Sequence, residues 1–85
     1  MNSKLYQQVC EAISEVLFVE TSDITPEKRY LEDLGASSAD LLMLIMVLEE
    51  ELEMEVPTED VRELLTVRDT VEYLEERIST AAEAV

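Results

Sequence analysis

Histidine is absent from this chain of 85 residues. Without it there is no base of the kind that activates a serine or cysteine nucleophile, and the usual zinc-ligand sets are missing. The remaining carboxylates are spread along solvated faces, so no catalytic residues and no metal ligands are assigned, and an enzyme is not expected. The lone cysteine, Cys10, has no partner in the chain for a disulfide. It sits beside Val9 in a helical apolar pattern, which suits a small buried hydrophobe, and it is given no function. One glycine and two prolines are too few for a turn-rich or disordered chain. No stretch approaches the roughly 20 apolar residues of a membrane helix, and Met1-Asn2-Ser3-Lys4 opens no apolar run, so the cytoplasm is the expected location, without membrane insertion.

Basic residues are also scarce, 6 against 21 acidic ones, for a net charge of -15. Such a surface repels nucleic acid phosphates and anionic membranes, and its protein partners should carry basic patches. A monomer is expected.

What the chain does have is helical material. Its length suits one domain, residues 1-85, and 47% apolar residues suffice for one modest core. From Ser3 to about Phe18, the residues Leu5, Val9, Ile13, Val16 and Leu17 recur at helical spacing and predict a first amphipathic helix. Thr21-Ser22-Asp23-Ile24-Thr25-Pro26 is turn-forming, and no period returns before Ser38, which gives a long connecting loop. Tyr30, Leu31 and Leu34 within it are too apolar for a free linker and should lie on the core. Ser38 is the N-cap candidate for a second helix whose face is Leu41, Leu44, Ile45, Leu48 and Leu52. Asp40 falls in its first turn, where the helix dipole favours an acid, and Val56-Pro57 closes it after Glu53. Thr58-Glu59-Asp60 caps a short third helix leading into Val61, Leu64 and Leu65. Thr66 and Asp69 form a capping-box spacing ahead of Val67, Val71, Leu74 and Ile78, a fourth helix running to about Thr80 with Ala81 to Val85 frayed. The fold class is all-α, a small four-helix bundle with a long first loop and a short third helix.

The stretch Asp33-Leu34-Gly35-Ala36-Ser37-Ser38-Ala39-Asp40 resembles the motif Asp-Leu-Gly-Ala-Asp-Ser-Leu-Asp that opens the second helix of acyl carrier proteins. The likeness extends through Leu48-Glu49-Glu50-Glu51-Leu52, Val56-Pro57, Thr66-Val67 and Tyr73-Leu74, and covers nearly the whole chain. It implies that Ser38 is the attachment point of a covalent 4'-phosphopantetheine taken from coenzyme A by a phosphopantetheinyl transferase. The arm's thiol then holds acyl groups as thioesters, in fatty acid or related lipid or polyketide biosynthesis. It implies further that the acyl chain can shelter between helices, where Tyr30, Leu44, Ile45, Leu48, Leu64 and Leu65 are the candidate lining. The same residues equally suit a closed core. Partners implied are acyl-transferring and acyl-elongating enzymes, docking on the acids Asp40, Glu49, Glu50, Glu59 and Asp60; a helical wheel adds Met43 and Met46 on the outward face of the second helix, unless the loop and third helix bury that side as well.

The chain departs from the family where partners would read it. Ser37 replaces an aspartate, Ala39 a leucine and Met43 a glutamate, and Arg62 brings a positive charge to the third helix, which suggests a specialised carrier. Two alternatives stand beside this reading: an aminoacyl or peptidyl carrier of the same fold, and an unmodified acidic helical module that binds a partner through Met43 and Met46. Gly35-Ala36 before the serine pair favours an acyl carrier over a peptidyl one, which more often has Gly-Gly there.

The charge balance yields a first prediction. Glu49, Glu50, Glu51, Glu53 and Glu55 repel one another, so added salt or a divalent cation raises the melting temperature. A melting temperature that stays flat across a salt titration contradicts it.

Overall fold

The fold is seen in a computed structural model that describes residues 2-83, with side chains as far as Ser79. Four α-helices follow in order: α1 (Ser3–Leu17), α2 (Ser38–Leu52), α3 (Thr58–Val61) and α4 (Val67–Glu83). A single 3-10 turn, Thr21–Asp23, interrupts the long segment between α1 and α2. Among the described residues the one strand-like pairing is a bridge between Arg29 and Thr66.

Three of the four helices, α1, α2 and α4, start where side chains satisfy their first N-H groups. Asn2 accepts from the Leu5 N-H at 3.1 Å to open α1. Thr66 and Asp69 form the expected reciprocal box at the start of α4: the Thr66 hydroxyl accepts from Asp69 N-H and the Asp69 carboxylate from Thr66 N-H, both at 3.1 Å. The ends differ from those of most helices, which favour glycine in the left-handed conformation. Here Phe18 (φ 59) and Glu53 (φ 52) take it, and Phe18 stands exposed.

Three helical boundaries depart from expectation. The second helix is capped by Ser37 and not by Ser38, as detailed below. The third is only four residues, so Leu64 and Leu65 lie beyond it in the turn towards α4. The fourth continues through Ala81 to Glu83, because alanine and glutamate are good helix formers with nothing to stop them. Ala84 and Val85 lie outside the described residues. Ile78, expected on the inner face of α4, is largely exposed, because the bundle beneath has ended by that turn.

The core is built from Leu5, Val9 and Ile13 of α1, Leu44, Ile45 and Leu48 of α2, and Val67, Val71 and Leu74 of α4. Cys10 is buried among them, and burial pushes its thiol up. Tyr30 carries the loop into this core. Its ring is 1% exposed, and its hydroxyl lies 2.6 Å from that of Thr70, which is itself fully buried on α4. Backbone bonds tighten the same tie: Tyr30 N-H donates to Leu65 C=O, Val67 N-H to Lys28 C=O and Arg68 N-H to Pro26 C=O. The Tyr6 hydroxyl donates to Ile24 C=O and so fastens the loop to α1 as well. Removal of its ring from water pushes the Tyr6 hydroxyl up to about 12. Leu34 is half-buried, whereas Leu31, expected on the core, is 52% exposed, since Tyr30 has taken the inward direction and its neighbour points away.

Deleting one buried hydroxyl partner measures this tie. Tyr30→Phe is expected to lower stability by about 1 kcal/mol, since a buried hydrogen bond between neutral groups is lost while the ring still fills its place. Urea unfolding checks it: the midpoint falls with the slope unchanged, and an unmoved midpoint means that the tie rests on packing and backbone bonds alone.

Candidate functional site

Adjacent serines compete for the start of α2, and backbone conformation divides their work. Ser37 is extended (φ -92, ψ 171), which turns its hydroxyl towards the helix, where it accepts from Asp40 N-H at 3.1 Å. Asp40 answers by accepting from Ser37 N-H at 3.0 Å. This is a complete capping box with aspartate at its third helical position. Ser37 is therefore the cap of α2, and Ser38, expected in that role, is the helix's first residue. The Ser38 side chain is thereby free of structural duty, exposed, and next to the helix's own first N-H groups. Those of Ser38 and Ala39 have no acceptor one turn back and donate no hydrogen bond among the described residues.

The turn that delivers Ser38 is built from residues 29-36. Asp33 accepts from the Arg29 N-H at 2.9 Å and from its guanidinium at 3.3 Å, and these bonds hold its carboxyl below the ordinary carboxylate range. Leu34 N-H and Asp33 N-H both donate to Arg29 C=O, and Ala36 N-H donates to Tyr30 C=O. The chain then needs a left-handed residue, which Gly35 supplies at φ 68. A side chain there would be strained by the backbone and not by its neighbours, since nothing lies within 4 Å of where its Cβ would sit.

An apolar groove of about 460 Å³ opens beside Ser38. Ser38, Leu41 and Leu42 form one wall, at the three- and four-residue spacing that places helical side chains on one stripe. Tyr30 and Leu31 from the loop form another, and Val61, Arg62, Leu64 and Leu65 from α3 and the turn after it form the third. Six residues were candidates for this lining, and the structure divides them. Tyr30, Leu64 and Leu65 reach the groove, whereas Leu44, Ile45 and Leu48 are at most 3% exposed and fill the closed core. The reason is rotation: α2 turns Leu44 and Leu48 into the core it shares with α1, and its Leu41-Leu42 edge to the groove beside α3. Leu41 and Leu42 are the lining residues that spacing from Ser38 would have found.

The seven candidate docking residues divide as well. Met43 and Met46 are 57% and 64% exposed, and Glu50 and Glu59 are also open to solvent. Asp40, Glu49 and Asp60 are half-buried and already engaged. Asp40 closes the capping box, Glu49 accepts from Val56 N-H at 2.8 Å, and Asp60 accepts from the Tyr73 hydroxyl at 2.6 Å. Burial and that bond to a carboxylate raise the Tyr73 hydroxyl above its ordinary value. The described residues contain no group of histidine, cysteine and carboxylate side chains able to hold a metal ion.

The arrangement fits a phosphodiester on Ser38: a free hydroxyl, unpaired N-H groups beside it at a positive helix end, and an apolar groove within reach. Comparison with known proteins identifies the family. Residues 7-74 match the family described as the phosphopantetheine attachment site. The acyl carrier proteins of Clostridium perfringens strains SM101 and 13 are each 47% identical to this chain over 72 residues, which cover 85% of it and 95% of theirs. On that family match and that identity across most of its length, the chain belongs to the acyl carrier protein family.

Proposed function

We propose that this protein carries acyl intermediates of fatty acid biosynthesis on a 4'-phosphopantetheine joined to the Ser38 hydroxyl. The observation that carries the reading is Ser38 itself, exposed at the first position of α2 and released from capping by Ser37. When bound, the arm supplies a terminal thiol on which acyl groups are held as thioesters. The chain's own residues do the rest. The Ser38 and Ala39 N-H groups, at the positive end of α2, favour the phosphodiester oxygens. Leu41, Leu42, Val61 and Leu64 offer an acyl chain an apolar refuge, at about 0.8 kcal/mol for each methylene fully sheltered. That lining favours acyl cargo over aminoacyl cargo. Carriers of this family deliver cargo to enzymes and catalyse nothing themselves.

A phosphopantetheinyl transferase and acyl-handling enzymes are the partners that family membership implies. We assign their docking to the exposed Met43, Met46, Glu50 and Glu59, where two flexible apolar side chains lie among acids and suit a partner that is basic around an apolar centre. We place this exchange in the cytoplasm, with the carrier as a monomer, because copies at net charge -15 repel each other.

Two experiments test this. Ser37→Ala and Ser38→Ala are each incubated with coenzyme A and a broad transferase and weighed intact. Ser38→Ala gains nothing and keeps its melting temperature. Ser37→Ala gains one phosphopantetheine but loses about 1 kcal/mol of stability with its cap. Modification of Ser38→Ala would overturn the assignment. For the docking face, Met43→Glu should shift stability by less than about 0.5 kcal/mol, as exposed positions do, while changing transfer to acyl-handling enzymes severalfold. A loss of several kcal/mol would place Met43 in the packing instead.

A further inference from the structure

In a chain with 21 acids and 6 basic residues, two arginines, Arg29 and Arg62, line the groove beside Ser38, against one acid, Glu32. The groove lining thus gathers two of the six basic residues of a strongly negative molecule. The two arginines are not equivalent. Arg29 is held by Glu32 and Asp33, so its charge is answered within the turn. Arg62 makes no ion pair and no side-chain hydrogen bond among the described residues, although Glu59 and Glu63 stand close to it in sequence. It is exposed, directly after α3, with Val61 and Leu64 on either side in the same wall. A plain hydrocarbon has no use for five N-H donors at this point. A guanidinium against apolar side chains is partly shielded from water, and it matches carboxylate or phosphate oxygens two at a time.

We propose that Arg62 is the anion-holding residue of the groove, binding an anionic oxygen group carried at Ser38. This rests on the carrier reading above. Two sources supply that chemistry: the phosphodiester that joins the arm to Ser38, or a carboxylate on the cargo, as in an acyl chain ending in a second carboxyl group. In the first case Arg62 fixes the arm over the groove whatever the cargo is. In the second it makes the groove selective for acidic acyl groups.

The experiment loads the protein and its Arg62→Gln and Arg62→Lys variants from coenzyme A, octanoyl-coenzyme A and the eight-carbon ω-carboxyacyl-coenzyme A, and checks each product by intact mass. Thioester hydrolysis rates and the phosphorus NMR shift are then read. If the cargo carboxylate is the ligand, the ω-carboxyacyl form hydrolyses about threefold more slowly than the octanoyl form, the size of an exposed ion pair. That ratio falls to one in Arg62→Gln and partly returns in Arg62→Lys. If the phosphodiester is the ligand, Arg62→Gln moves the phosphorus signal alike in all three loaded forms, and the two hydrolysis rates stay equal. A phosphorus signal and a rate ratio both unchanged by Arg62→Gln, in protein shown to be loaded, overturn the proposal and leave the carrier reading intact. Failure of the unmutated protein to load overturns both.

Discussion

The hydroxyls of Tyr30 and Thr70, buried 2.6 Å apart, hold the long first loop to α4, and the site depends on that grip. Twenty residues separate α1 from α2, and without an anchor near their middle a chain of that length would be free to wander. With Tyr30 fixed, three backbone bonds lock residues 26-30 to 65-68. Ala36 N-H then folds back onto Tyr30 C=O. Ser37 consequently meets α2 in the extended conformation that capping requires, and Ser38 follows as its first turn. The groove has the same origin, because Tyr30 and Leu31 form its loop wall. A buried polar contact therefore positions an exposed reactive group some way off.

Much of this was legible in the sequence. The periods of the first and fourth helices, the capping box at Thr66 and Asp69 and the length of the loop all follow from residue type and spacing. The motif around Ser38 carried the family. What escaped has physical causes. Ser37 and Ser38 are equally good caps by composition, and only ψ at Ser37, set by the loop's closure, decides between them. Residues 41-48 are an unbroken apolar run, so any stripe drawn along α2 has hydrophobic neighbours on both sides, and periodicity cannot say which edge meets α3. That is why Leu44, Ile45 and Leu48 were grouped with the groove and Leu42 was not. The third helix is too short for a period at all.

The acids fall into two populations that charge counting cannot separate. Asp33, Asp40, Glu49, Asp60 and Asp69 accept hydrogen bonds inside the molecule and define turns and caps. Glu50, Glu51, Glu59 and others stand in water and determine the field that a partner meets. A net charge of -15 is tolerable in so small a fold partly because the first group is hydrogen-bonded inside the molecule, Asp60 to the Tyr73 hydroxyl and the others to backbone N-H groups.

The groove's three walls are unequally secured. The loop wall is stitched to α4 by backbone bonds, and α2 is a long helix against the core. By contrast, α3 is a single turn, begins at Pro57 without a side-chain cap, and is tied to α4 by the bond from the Tyr73 hydroxyl to Asp60. In a protein whose parts open at different free energies, the least fastened part opens first. The slack of the groove thus resides in α3, one helical turn on a single side-chain latch, while the serine, its cap and the loop are held by bonds of their own.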